Sequence, residues 1–92
     1  MTVKEKIRTA LKERKLIIGS RSVIKDVKLG RIDTVIYASN LPESKKRDLK
    51  YYSNIAGFSL QRFDGNSAEL GELCGKPFSI LMVGIIKQEN PK

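Results

Sequence analysis

At the start of the chain, Val3, Ile7, Ala10 and Leu11 recur at the i, i+4, i+7, i+8 spacing that lines one face of a helix. Lys4, Lys6, Arg8, Lys12, Arg14 and Lys15 fill the opposite side, so the predicted helix is amphipathic and runs to about Lys15. Thr2 offers an oxygen to the first free N–H groups, with Glu5 three residues on as in a capping box. Leu16-Ile17-Ile18 is a short apolar run stopped by Gly19, which predicts a brief buried strand. A second helix is expected from Ser20 to Leu29, capped by Ser20 or Ser22. Val23, Ile24 and Val27 form its core face, and Gly30 suits the position just past its end.

Thr34 to Ala38 is β-branched and aromatic, a strand by propensity. Pro42 suits the first position of a third helix, because a helix start needs no N–H there and proline's φ is already helical. That helix is predicted over 42–56, with Leu49, Tyr52, Ile55 and Ala56 on its buried side and Gly57 ending it. Phe58 to Phe63 predicts a third strand, and Asp64-Gly65 a turn. Ser67 can cap a short fourth helix through Leu73, closed by Gly75. Phe78 to Ile86 is apolar on both faces, as expected of a strand covered from both sides. The polar tail from Lys87 is expected to fray. Four helices alternating with four strands predict one α/β domain over 1–92, with helices on both faces of a single sheet.

Composition narrows the function classes. The chain has 92 residues, 40% of them hydrophobic, and no apolar run approaching the ~20 residues that span a bilayer. Neither a membrane segment nor a signal peptide is predicted, so a cytoplasmic protein is expected. A single cysteine allows no internal disulfide, and the absence of histidine removes the commonest acid–base group near neutral pH. A zinc site would have to be built from carboxylates, and Glu69 with Glu72 has no further ligand set beside it. Cys74 has no histidine to activate it and reads as a small buried residue near a helix end. No enzyme, no metal and no cofactor are expected.

The net charge of +8 is unevenly placed. Residues 1–31 carry ten Lys/Arg against three Asp/Glu, and residues 51–92 balance four against four. Clustered cations displace counterions from phosphates, the main source of nucleic-acid affinity. A solvated basic surface without a partner, or one facing an acidic membrane or protein, would have the same composition.

Three segments offer candidate contacts. In Gly19-Ser20-Arg21-Ser22-Val23-Ile24-Lys25, a glycine at a strand end lets a phosphate backbone approach, and the helix behind it aims free N–H groups at the same place. Ser20 and Ser22 can donate hydrogen bonds, Arg21 presents a planar fork, and Lys25 lies one turn on. The alternative is an ordinary strand-to-helix turn, and the spacing of a nucleotide-binding glycine loop is absent. Asn40, before Pro42, could read a base or sugar, or could cap a helix or brace its own turn. Lys45, Lys46 and Arg47 could extend a phosphate stripe or form a solvated helix face. In Gly75-Lys76-Pro77-Phe78, the aromatic either stacks on an unpaired base or begins the last strand and points into the core.

Three linked motifs then carry a resemblance over most of the chain, from about Val3 to Ile86. The segment Gly65 to Phe78, GNSAELGELCGKPF, resembles the G-x-x-x-E-L-G-x-x-x-G-[KR] signature of the large-subunit ribosomal protein L30e family of archaea and eukaryotes. KKRDLKYYSNIAG, from Lys45 to Gly57, is similar to that family's tyrosine-pair helix, and VIYASNLP to its apolar strand with Asn and Pro. The resemblance places the chain in the wider L7Ae superfamily. It implies a three-layer α/β/α sandwich around a four-stranded mixed sheet and recognition of a kink-turn, a sharply bent RNA helix–loop–helix. It also joins the three candidate segments into one surface. The implied RNA contacts are Gly19, Ser20, Arg21, Ser22, Lys25, Asn40, Lys45, Lys46, Lys76 and Phe78. Ser22 stands where many members carry a longer Glu or Gln, and Ser79 where an Arg often follows the aromatic. The implied function is a structural, non-catalytic constituent of the large ribosomal subunit, monomeric when free, with rRNA and other ribosomal proteins as partners. The alternatives are an RNA-processing or translation-factor relative binding kink-turn RNA, or a protein-interaction module of the same fold.

Overall fold

In the computed structural model, which describes residues 2–87, helices and strands alternate along the chain. They are α1 (Val3–Lys12), β1 (Leu16–Ile18), α2 (Ser20–Lys28), β2 (Ile32–Tyr37), α3 (Glu43–Ala56), β3 (Ser59–Arg62), α4 (Ser67–Leu73) and β4 (Met82–Ile86). The strands form one mixed sheet in the order β1-β4-β2-β3. β4 runs antiparallel to both β1 and β2, and β2 runs parallel to β3. The expected α/β/α sandwich is the fold found.

Period-two alternation along the strands divides the apolar residues between two cores. Ile36 and Val83 join Ile7 of α1, Leu70 of α4 and Cys74 at the end of α4 on one face. Val35 and Met82 join Val23 and Val27 of α2 and Leu49 of α3 on the other. Each fully buried aliphatic side chain contributes about 1.5–3 kcal/mol relative to exposure. Gly84 lets α2 approach the middle of the sheet, because a Cβ there would lie 2.9 Å from Ile32 Cδ1 and 3.5 Å from the Val23 methyls.

Several local expectations shift. Thr2 caps α1 as expected, its Oγ1 accepting from Glu5 N at 3.2 Å, but the helix ends at Lys12 and the chain turns through Arg14 at φ 59°. Pro42 is the N-cap of α3 rather than its first residue. On α3 only Leu49 is buried, Tyr52 is half-buried, and Ile55 is 67% exposed. Ile55 and Ala56, with Tyr52, line an open groove against Val27, Lys28 and Gly30 at the α2 end, so the last turn of the helix is only partly covered. The last strand begins at Met82, not Phe78. Residues 88–92, most of the tail expected to fray, lie outside the described residues.

Candidate nucleic-acid interface

Strand directions decide which loops meet. β1, β2 and β3 all finish at the end of the sheet where β4 begins. Backbone bonds lock this end together: Gly19 N donates to Met82 O at 3.4 Å, Ala38 N to Leu81 O at 2.8 Å, and Ser39 N to Gly65 O at 2.8 Å. The segments after β1, after β2 and before β4, separate in sequence, therefore share one end of the molecule.

The α2 corner is open. Gly19 is the N-cap at φ 102°, a conformation L side chains rarely adopt, and nothing lies within 4 Å of where its Cβ would be. No side chain caps the helix, so neither Ser20 nor Ser22 acts as the cap expected of them; they are the first and third helical residues instead. The first N–H groups of α2 thus point outward with the helix's partial positive charge behind them. Arg21 and Lys25, four residues apart on one exposed face, have no ion-pair partner among the described residues. Ser22 is exposed and Ser20 half-buried.

Asn40 is exposed, but its amide is engaged at both ends. Oδ1 accepts from Ser67 N at 2.8 Å and Nδ2 donates to Ser67 Oγ at 3.0 Å. Asn40 thereby pins the β2–α3 loop to the first residue of α4. Sequence reasoning placed Asn40 in the loop but not its partner, 27 positions away. It also assigned the α4 cap to Ser67, whereas Asn66 holds it. Asn66 Oδ1 accepts from Glu69 N at 3.0 Å and Asn66 N donates to Glu69 Oε1 at 3.4 Å, a complete capping box. The N-x-x-E spacing was present as a signal.

That box accounts for Glu69 in the signature motif, and its neighbours have equally local reasons. Leu70 is fully buried. A Cβ on Gly71 would collide with the Phe78 carbonyl oxygen, so the glycine lets the 75–81 loop lie directly on α4. Gly75 turns the chain at φ 72°, Lys76 N donates to Gly71 O at 2.9 Å, and Ile80 N to Ser67 O at 3.0 Å. The loop held this way leaves Phe78 56% exposed. Of the two alternatives left open by the sequence, the core placement is excluded: the ring lies on the surface.

Lys45 and Lys76 are exposed at the same end. Lys46 is half-buried, donating to Glu43 Oε1 at 3.3 Å with its ammonium 6.0 Å from the centre of the Tyr37 ring, so part of its charge is used within the protein. Cys74 is buried, and burial pushes its thiol above the ordinary value against a smaller opposing pull from Lys76. Among the described residues no group of His, Cys, Asp and Glu is placed to hold a metal ion.

Fold and site together define a small α/β/α domain with a basic, aromatic-bearing loop end. The model of the ribosomal protein L7Ae/L30e/S12e/Gadd45 family matches residues 1–92, and the chain belongs to that family. It is similar to large ribosomal subunit protein eL30 of Methanothermobacter thermautotrophicus, 39% identical over 80 residues, covering 87% of this chain and 82% of that protein. The eL30 protein of Sulfurisphaera tokodaii is 40% identical over 80 residues, covering 87% and 76%. Among solved structures, a 15.5kD RNA binding protein of Giardia lamblia superposes with a TM-score of 0.78 at 19% identity, covering 90% of this chain and 69% of that one, a likeness of fold. A Bacillus halodurans protein of unknown function also reaches 0.78, at 25% identity, covering 88% and 80%.

Proposed function

We propose that this chain is a structural constituent of the large ribosomal subunit that holds a kink-turn-like element of rRNA, by binding and without chemistry. Membership of the family and the eL30 relatives support the ribosomal assignment. The observation that carries the RNA reading is the convergence, at one end of the sheet, of an uncapped α2 N-terminus, unpaired cations and an exposed aromatic ring.

Each part has a distinct task. The α2 N–H groups, Arg21, Lys25, Lys45 and Lys76 face phosphates and set the register of the RNA. Phe78 receives an extruded base, a contact worth about 1–3 kcal/mol. Asn40 works mainly through Ser67, keeping the β2–α3 loop and the α4 corner in one surface. Ser22 is too short to reach far into a groove, so Arg21 and backbone groups make most contacts beside it, and RNA shape is read more than sequence. The site operates in the cytoplasmic ribosome, with the free protein monomeric.

Calorimetric titration at moderate salt, with a kink-turn RNA and a plain duplex of equal length, tests this reading. The kink-turn should bind at least roughly tenfold more tightly, a difference of about 1.4 kcal/mol. Equal affinity for the two would remove the claim of shape recognition.

A further inference from the structure

The opposite end of the sheet carries a second cationic surface. Lys15 O accepts from Ile86 N at 2.9 Å and Arg31 O from Lys87 N at 2.8 Å, which sets Lys15, Lys87 and Arg31 side by side across the ends of β1, β4 and β2. Lys12 and Lys28 at the ends of α1 and α2, and Arg14 in the turn after α1, add to it. The nearby carboxylates are Glu13, Asp26 and Asp33. Among the described residues the one ion pair there joins Glu13 to Lys15, and at 4.0 Å it is long.

A backbone feature points to use of this surface. All four helices end through a residue of positive φ, and three of them place glycine there: Gly30, Gly57 and Gly75, at φ 72–75°. In α1 the position is held by Arg14 at φ 59°. Its hydrogen-bond pattern is the one seen at Gly30 and Gly75: Arg14 N donates to Leu11 O, and Lys15 N to Ala10 O. An arginine in this conformation carries steric strain that glycine avoids. The Arg14 side chain is exposed and makes no hydrogen bond or ion pair among the described residues, so the fold gains nothing visible from it. Strain that no contact within the fold repays points to a function for the residue.

We infer that this pole, centred on Arg14, Lys15 and Arg31, is a second RNA-binding surface that takes the phosphate backbone of a helical RNA segment. The domain would then clamp two RNA segments, one at each end of its sheet; that bridging role rests on the function proposed above, whereas the pole's own affinity does not. Among the described residues this pole has no open helix N-terminus, and its contacts are phosphate contacts, non-specific and strongly salt-dependent.

The test uses a short labelled RNA duplex as the probe at low salt, first with the free protein and then with protein saturated by an unlabelled kink-turn RNA. The saturated protein should still bind the duplex. Arg14→Gly should melt at a higher temperature than the parent, because strain is relieved, yet bind the duplex more weakly, with the salt slope reduced by about one unit. Arg31→Ser should behave likewise in binding, and neither change should alter kink-turn affinity. In the free protein, Arg21→Ala and Phe78→Ala should leave a fraction of duplex binding that Arg14→Gly and Arg31→Ser weaken, so the result stands apart from the fate of the kink-turn reading. Loss of duplex binding on saturation, or an unchanged salt slope in Arg14→Gly and Arg31→Ser, would overturn the inference. So would equal binding of poly-glutamate, which would make the partner an acidic polypeptide.

Discussion

In the proposed RNA complex, Asn40 and Gly71 act through the fold rather than by touching RNA. Asn40→Ala removes both bonds to Ser67 and should lower stability by about 1–2 kcal/mol, measured by urea unfolding. Asn40→Asp keeps an acceptor for Ser67 N and should unfold close to the parent, yet bind kink-turn RNA more weakly because it sets a negative charge among the phosphate contacts. If the two variants lost stability equally, the Ser67 bonds would not be the reason for the residue. Gly71→Ala forces the 75–81 loop off α4 and should cost about 1–3 kcal/mol while also moving Phe78, so RNA affinity falls although residue 71 is buried. Cys74 gives a third readout at this scale. Its raised thiol pKa means the folded state holds the proton more tightly than the unfolded chain. Its contribution to stability is therefore intact below the unfolded thiol pKa and is lost as pH rises through the higher folded value. Alkylation at neutral pH should be slow in the folded protein and fast in urea; equal rates would contradict its burial.

At the scale of elements, the hydrophobic periodicity was enough for the order and type of all eight segments, because each carries a clear period of its own. Its failures are tertiary. The run from Phe78 to Ile86 looks uniformly apolar, but its first part is held on α4 by Gly71 and Ser67, and no strand partner reaches it before Met82. Ile55 keeps helical phase with Leu49 and Tyr52, yet it borders an open groove against the end of α2 and stays exposed. Ser20, Ser22 and Ser67 are good caps by type, but backbone geometry gave the caps to Gly19 and Asn66. The candidate site was legible as three separate segments and as a family surface; the Asn40–Ser67 tie was not, because nothing local links residues so far apart. Because Phe78 belongs to a loop rather than a strand, Phe78→Ala should change the unfolding midpoint little while reducing kink-turn affinity by about 1–3 kcal/mol. A large loss of stability would return the ring to the core.

For the whole molecule, the radius of gyration of 12.3 Å equals the roughly 12 Å expected of a compact folded chain of this length. The excess charge is not spread evenly over that surface. Both ends of the sheet carry unpaired cations among the described residues, while Lys4 and Arg8 on the flank share a groove with Glu69 and Glu72. Mixed strand directions make the loop end possible: three strands finish and one begins there, so four chain crossings converge. Affinity at that end should fall steeply with salt, and Arg21→Ala should reduce the slope of log K against log salt by about one unit. An unchanged slope would remove Arg21 from the phosphate contacts.

The most direct test of the central claim is the end-to-end distance of a kink-turn RNA, read by energy transfer between fluorophores on its two stems, as the protein is added without divalent ions. The RNA should shift to the sharply bent state, saturating at one protein per RNA, and Phe78→Ala and Arg21→Ala should weaken the shift. Binding that left the two stems at their free separation, or bending undiminished in both variants, would contradict that claim.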